Sequence, residues 1–203
     1  MAVVLMKGGK VSLDKESAAA GGNPTILVGK FGLKWDINTA KYGSAVADYD
    51  LDRFSILLDA EGKPAFGDKS LIFYNNPTDP SGCIEMSADN RTGAGDGYDE
   101  VGTITFAKVP AGVKEILIGV AVYEYKERKQ NFGQIKAAAI DVINGDDGKI
   151  LTHTDLEEDI SMGTGAIVGR FRMEADGTWS FKAMADVFKE GMQEILTKYG
   201  IAC

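Results

Sequence analysis

The sequence predicts a mainly β protein, an antiparallel β-sandwich with a C-terminal amphipathic helix and few other helices. Three observations support this. Short apolar runs rich in Val, Ile and Phe recur at irregular spacing, turn-forming residues separate them, and only the end of the chain carries a helical stripe. The predicted strands, in order, are PTILVGKFG (24–32), RFSILLD (53–59), SLIFYNN (70–76), GTITFAKV (102–109), EILIGVAVYEY (115–125) and IKAAAIDVI (135–143). Gly62-Lys63-Pro64, Asn75-Asn76-Pro77, the stretch from Asp79 to Gly82 and that from Asn144 to Gly148 mark reversals between them. The segment GAIVGRFRMEADGTWSFKAMAD reads as a hairpin turning at Asp176-Gly177. At the end, Phe188, Met192, Ile195 and Tyr199 fall on one helical stripe, with Gly200 at the C-cap position. Only this end looks helical. With 203 residues, 44% of them hydrophobic, one domain spanning 1–203 has enough material for a buried core.

The charge balance excludes several function classes. Lys and Arg number 22 against 30 Asp and Glu, a net charge of −8, which disfavours direct binding to nucleic acid or to an anionic membrane. Cys83, Cys203 and His153 have no metal-ligand spacing, so zinc lacks ligands. The start of the sequence lacks the features of a secretory leader, and no run approaches the length of a membrane span. A cytoplasmic location with free thiols is the expectation.

The strongest chemical signal is DNRTGAGDGYDE, from Asp89 to Glu100. Its twelve positions hold four carboxylates, an asparagine and three glycines, against one cation, Arg91. Carboxylates crowded this closely repel each other, and such a segment calls for a cation; calcium, which takes about six to eight oxygens, suits it best. Upstream, Asp48, Asp50 and Asp52 alternate in DYDLD, so a strand there places all three on one face. The pattern is not that of an EF-hand, because Arg91 takes the third position counted from Asp89.

The order of the motifs LMKGGKVSLDK, VGKFGLKWD, YDLDRFSILLD, IFYNN, DNRTGAGDGYDE, QNFGQIK, THTDLEED and TWSFKAMADVFKEGM resembles that of the TerD tellurite-resistance family of bacterial stress proteins over nearly the whole chain. The resemblance implies a calcium-binding β-sandwich. Carried over residue by residue, it implies ligation by Asp50 and Asp52 and by Asp89, Asn90, Asp96, Asp99 and Glu100, with Asp36 of KWD as a further donor. The family's loop usually reads GDNRTGEGDGDDE. Here Ala88, Ala94 and Tyr98 stand in place of Gly, Glu and Asp, and Arg53 follows DLD where a small residue is usual. The loss of two carboxylates and the added cation imply lower affinity, with one of the family's two expected calcium positions weakened or lost. The insertion-like NTAKYGSAVAD (38–48) implies a divergent branch.

Competing readings are weaker. The three loop glycines do not lead into a helix or a Lys-Ser/Thr pair, and carboxylates repel phosphate, so nucleotide binding is not expected. His153 has no nucleophile motif beside it and reads as a strand or surface residue, Asp155, Glu157, Glu158 and Asp159 read as a helix start or solvated rim, and Trp35 and Trp179 read as core or hairpin residues. The expected function is that of a non-enzymatic, calcium-dependent interaction module in stress response. The implied partners are other tellurite-resistance proteins or a membrane-linked assembly, placing the protein at the inner-membrane periphery through them. The alternative is a structural or assembly protein that uses the calcium-stapled sandwich as a building block, with self-association.

Overall fold

The computed structural model describes residues 2–37, 49–87 and 97–202, apart from the side chains of Ile37, Glu157 and Glu158. The described strands run, in chain order, β1 (Val3–Val4), β2 (Lys10–Ser12), β3 (Val28–Ile37), β4 (Leu51–Leu58), β5 (Ala65–Asp68), β6 (Leu71–Ile72) and β7 (Ile84–Met86). They continue with β8 (Glu100–Thr105), β9 (Glu115–Val122), β10 (Ile135–Asn144), β11 (Ile150–Asp155), β12 (Gly165–Met173) and β13 (Trp179–Phe188). Twelve of them form two sheets, ordered β1-β11-β10-β3-β8-β7 and β2-β13-β12-β9-β4-β6.

Alternation along the strands builds the core between the sheets. Phe31, Leu33 and Trp35 of β3 meet Phe171 and Phe181 of the other sheet in one cluster. The Phe31 and Phe171 rings lie 6.4 Å apart between centroids, and Phe106 and Trp179 lie 5.0 Å apart. Strand β4 is buried along its whole length because both faces are covered. Leu51 and Leu57 enter the inter-sheet core, whereas Phe54, Ile56 and Leu58 join a second cluster with Ile195, Leu196 and Ile201. That second cluster is sealed by the C-terminal helix Gly191–Tyr199, which ends at Gly200 in the left-handed conformation (φ 69°). Phe54 lies flat across Gly119, its partner on β9: a Cβ there would stand 2.1 Å from Phe54 Cζ. Glycine is what lets the ring lie against the neighbouring strand.

Several expectations need correction. The β1–β11 pair is parallel (Val3 opposite Thr152), while every other pair in the two sheets is antiparallel. No hairpin constrains the direction of an edge strand whose partner is so distant in sequence. The chain is not helical only at its end. A helix spans Leu13–Ala19, and short turns of helix span Tyr125–Arg128 and Glu157–Ile160. The first buries only Leu13 and Ser17, too narrow a stripe to show as periodicity. The strand expected from residue 24 starts at Val28, because the Ile26 N–H is taken by Asp14 Oδ1 at 2.7 Å, and it runs on to Ile37. The run SLIFYNN shrinks to Leu71–Ile72, since Phe73 and Asn76 close a turn on each other. The hairpin at Asp176-Gly177 forms as predicted, with Gly177 at φ 83°.

Candidate metal centre

The two acidic stretches converge at one end of the sheets. Ser87, just before the segment 88–96, extends the β7–β8 ladder: its N–H donates to the Val101 carbonyl at 2.9 Å, and the Val101 N–H donates to Ser87 Oγ at 3.2 Å. Ser87 is therefore held beside β8. The predicted donors Asp89, Asn90 and Asp96, and Asp48 upstream, lie outside the described residues.

Asp50 and Asp52 share the face of β4 that carries Phe54 and Ile56, as their spacing predicts, and both are buried. The Asp50 carbonyl accepts from the Tyr123 N–H at 3.0 Å, which holds this strand entry against the end of β9. Arg53 points the other way, between the sheets, and meets Glu100, the first residue of β8. Both side chains are nearly inaccessible, at 4% and 3% exposure, and Nη1 lies 3.6 Å from Glu100 Oε2. The same oxygen accepts the Arg53 backbone N–H at 3.1 Å. The guanidinium also donates to the Ser87 carbonyl at 2.8 Å, to Ser87 Oγ at 3.2 Å and to Met86 Sδ at 3.1 Å. Asp52, Arg53 and Glu100 line one cleft of about 270 Å³ together with Tyr74, Pro77, Met86 and Ser87.

Asp99 falls on the opposite side of the chain from Glu100. Its N–H donates to the Leu33 carbonyl and its Oδ2 accepts the Trp35 N–H, both at 2.9 Å, which extends the β3–β8 ladder. Burial pushes the Asp99 carboxyl up. The Trp35 hydrogen bond partly opposes the rise, and the like charge of Asp36 adds to it. Asp36 is exposed on β3. The structure therefore divides the described donors, with Asp52 and Glu100 at the cleft, Asp50 beside Asp52, and Asp36 and Asp99 together on the other side.

These residues meet the requirements of a hard cation unequally. Asp36 and Asp99 suit one: both supply carboxylate oxygens, and a bound divalent ion would relieve the repulsion that helps raise Asp99. Glu100 does not, because its carboxylate is already engaged by a buried guanidinium. Among the described residues, no three His, Cys, Asp or Glu side chains group closely enough to hold a metal ion alone.

A second arrangement, which sequence reasoning missed, anchors this end. The Tyr98 hydroxyl donates to Asp141 Oδ2 at 2.7 Å, and Asp141 Oδ1 meets His153 Nδ1 at 2.5 Å; His153 Nε2 lies 3.2 Å from Asp155. The Tyr98 ring covers Gly32, where a Cβ would stand 2.5 Å from ring carbons. Burial, followed by the Asp141 hydrogen bond and charge, pushes the Tyr98 phenol well above its usual range. No spacing rule links residues 98 and 141; the only trace in the sequence is a tyrosine where the resemblance leads one to expect aspartate.

Among the described residues, no helix is long and apolar enough to cross a membrane. The TerD domain family matches residues 1–199. The chain is 37% identical over 201 residues to the tellurium resistance protein TerD of Serratia marcescens, covering 99% of this chain and 98% of that one. It is 36% identical, with the same coverage, to general stress protein 16U of Bacillus subtilis (strain 168). The crystal structure of a telluride resistance protein (TerD) homologue from Streptomyces coelicolor A3(2) superposes with a TM-score of 0.70 at 23% identity, covering 88% of this chain and 99% of that one, and so shares the fold.

Proposed function

The chain belongs to the TerD family of tellurium-resistance and stress-response proteins, and from that premise we propose that it is a non-enzymatic, calcium-binding interaction module. One observation carries the reading. Two acidic stretches far apart in sequence reach the same end of the sheets, where Asp52 and Glu100 line one cleft and Asp36 and Asp99 lie together beside it. The ion is taken up by donors of the acidic segment ending at Glu100 and of the strand ends next to it. Metal bound there completes a surface for other tellurite-resistance proteins or a membrane-linked assembly in the cytoplasm.

A direct reaction with tellurite is disfavoured on physical grounds. The net charge of −8 repels an oxyanion. Cys83 is 1% exposed, and burial pushes its thiol up to about 12, so it supplies no thiolate as reductant. Resistance then acts through partners.

The experiment is calorimetric calcium titration of chelator-stripped protein, repeated on Asp96→Asn combined with Asp99→Asn. Saturable binding that the double variant loses is expected. No heat and no thermal shift at millimolar calcium would overturn the reading. A structural role in self-assembly draws on Val4 and Met6, 65% and 79% exposed at the β1 edge. Size-exclusion chromatography with and without calcium separates the two, because assemblies that persist in chelator favour the structural role.

A further inference from the structure

Arg53 presents a positive charge where the acidic cleft presents its oxygens. A carboxylate (Glu100), a backbone carbonyl and a hydroxyl (both Ser87) are the hard oxygen donors a calcium ion takes; here one guanidinium donates to both Ser87 oxygens and pairs its charge with Glu100 at 3.6 Å. We propose that Arg53 is a resident cation, built into the chain, that replaces a divalent ion on the Glu100 side of the cleft. The inference rests on the calcium reading and narrows it to the Asp36–Asp99 side.

Three features support the replacement. The guanidinium is buried and held by several acceptors, so it does not swing out to solvent as a surface arginine does. Arginine does not lose its proton in a protein, so the charge stays in place whatever the calcium concentration. An entering ion would also compete for Glu100 Oε2, which accepts the Arg53 backbone N–H and lies in an ion pair with the Arg53 side chain. A divalent ion admitted to this side would be repelled by the guanidinium and would have to break these bonds. Strand alternation turns Asp99 away from Glu100, so the side that holds Asp36 and Asp99 does not share this obstacle.

The test compares calcium stoichiometry in wild type, Arg53→Met and Arg53→Lys, with circular dichroism confirming the fold and melting temperatures taken in chelator and in calcium. Arg53→Met is expected to bind one ion more than wild type and to gain more in melting temperature on adding calcium. Arg53→Lys, which keeps the charge, is expected to match wild type. A folded Arg53→Met with wild-type stoichiometry, or an extra ion in Arg53→Lys, overturns the proposal. If wild type binds no calcium while Arg53→Met binds one ion, the calcium reading falls and the resident cation stands; if neither binds, both fall. Should Arg53→Met not fold, calorimetric calcium titration of Asp36→Asn combined with Asp99→Asn, in a chain that keeps Arg53, decides. Loss of all saturable binding supports an ion confined to the side that holds Asp36 and Asp99, and saturable binding that survives overturns the assignment.

Discussion

Replacing Tyr98 by phenylalanine removes one hydroxyl and leaves the ring over Gly32 in place. The lost group donates to Asp141 at 2.7 Å, and Asp141 is only 4% exposed, so water does not readily take over. A hydrogen bond to a charged acceptor is worth about 1.5–3 kcal/mol. In a chain of this length each kcal/mol moves the melting temperature by roughly 2–4 °C, so Tyr98→Phe should melt about 3–12 °C lower. Calorimetric melting in chelator at neutral pH isolates the effect from any bound metal, and urea unfolding with an unchanged slope would show that the compactness of the end states has not moved. Asp141→Asn in the same background completes a double-mutant cycle, in which directly bonded partners should couple by about 0.5–3 kcal/mol. A Tyr98→Phe protein within about 0.5 kcal/mol of wild type, or additive effects in the cycle, would refute the claim that this bond anchors the end of the acidic segment.

Gly119→Ala places a methyl 2.1 Å from Phe54 Cζ, in a ring with no exposure and a helix behind it, and should destabilise by about 1–3 kcal/mol or more in urea unfolding. In a Cys203→Ser background, Cys83 should react with a thiol reagent at mildly alkaline pH only as fast as the protein opens, because its thiol is buried and pushed up to about 12; rapid stoichiometric labelling of native protein would contradict this. Burial raises the Asp79 carboxyl, but hydrogen bonds from Ser81 and Ile84 outweigh it and hold the group below its usual range. Its stabilisation is therefore complete above the unfolded value of about 3.9 and is lost as pH falls through the lower folded value. The stability gap between wild type and Asp79→Asn, measured by urea unfolding, should be flat from about pH 5 to 7 and shrink below about pH 4.

What sequence alone revealed followed from local periodicity. Alternation placed Asp50 and Asp52 on one face, turn chemistry located the hairpin at Gly177, and Met192, Ile195 and Tyr199 of the apolar stripe located the C-terminal helix, while Phe188, the fourth, closes β13. Long-range features stayed hidden for a physical reason. Arg53 was legible only as a charge near an acidic stretch; that it turns inward to Glu100 depends on which face of β4 looks between the sheets, and Leu51 and Leu57 settle that only once the strands are paired. Strand β11 carries only a faint apolar pattern, because its buried positions include Thr152 and Thr154. Tyr98 and Asp141 meet because β3 brings Gly32 between them, a juxtaposition that no local pattern encodes.

The edge strands β1 and β2 set a timetable for folding. Val3 pairs with Thr152 on one sheet and Ser12 with Ser180 on the other, so each of these strands waits for a partner translated well over a hundred residues later. At about 5–20 residues per second on the ribosome, that is a delay of many seconds, during which the middle strands of both sheets are already available to one another. Closing such distant pairs is slow, and until it happens the outer edges of β11 and β13 are unpaired. A nascent or refolding chain is thus most vulnerable to wrong pairing at these two edges. Adding the peptide comprising residues 2–12 in trans to a chain lacking it is a direct way to ask whether that last step is a docking event.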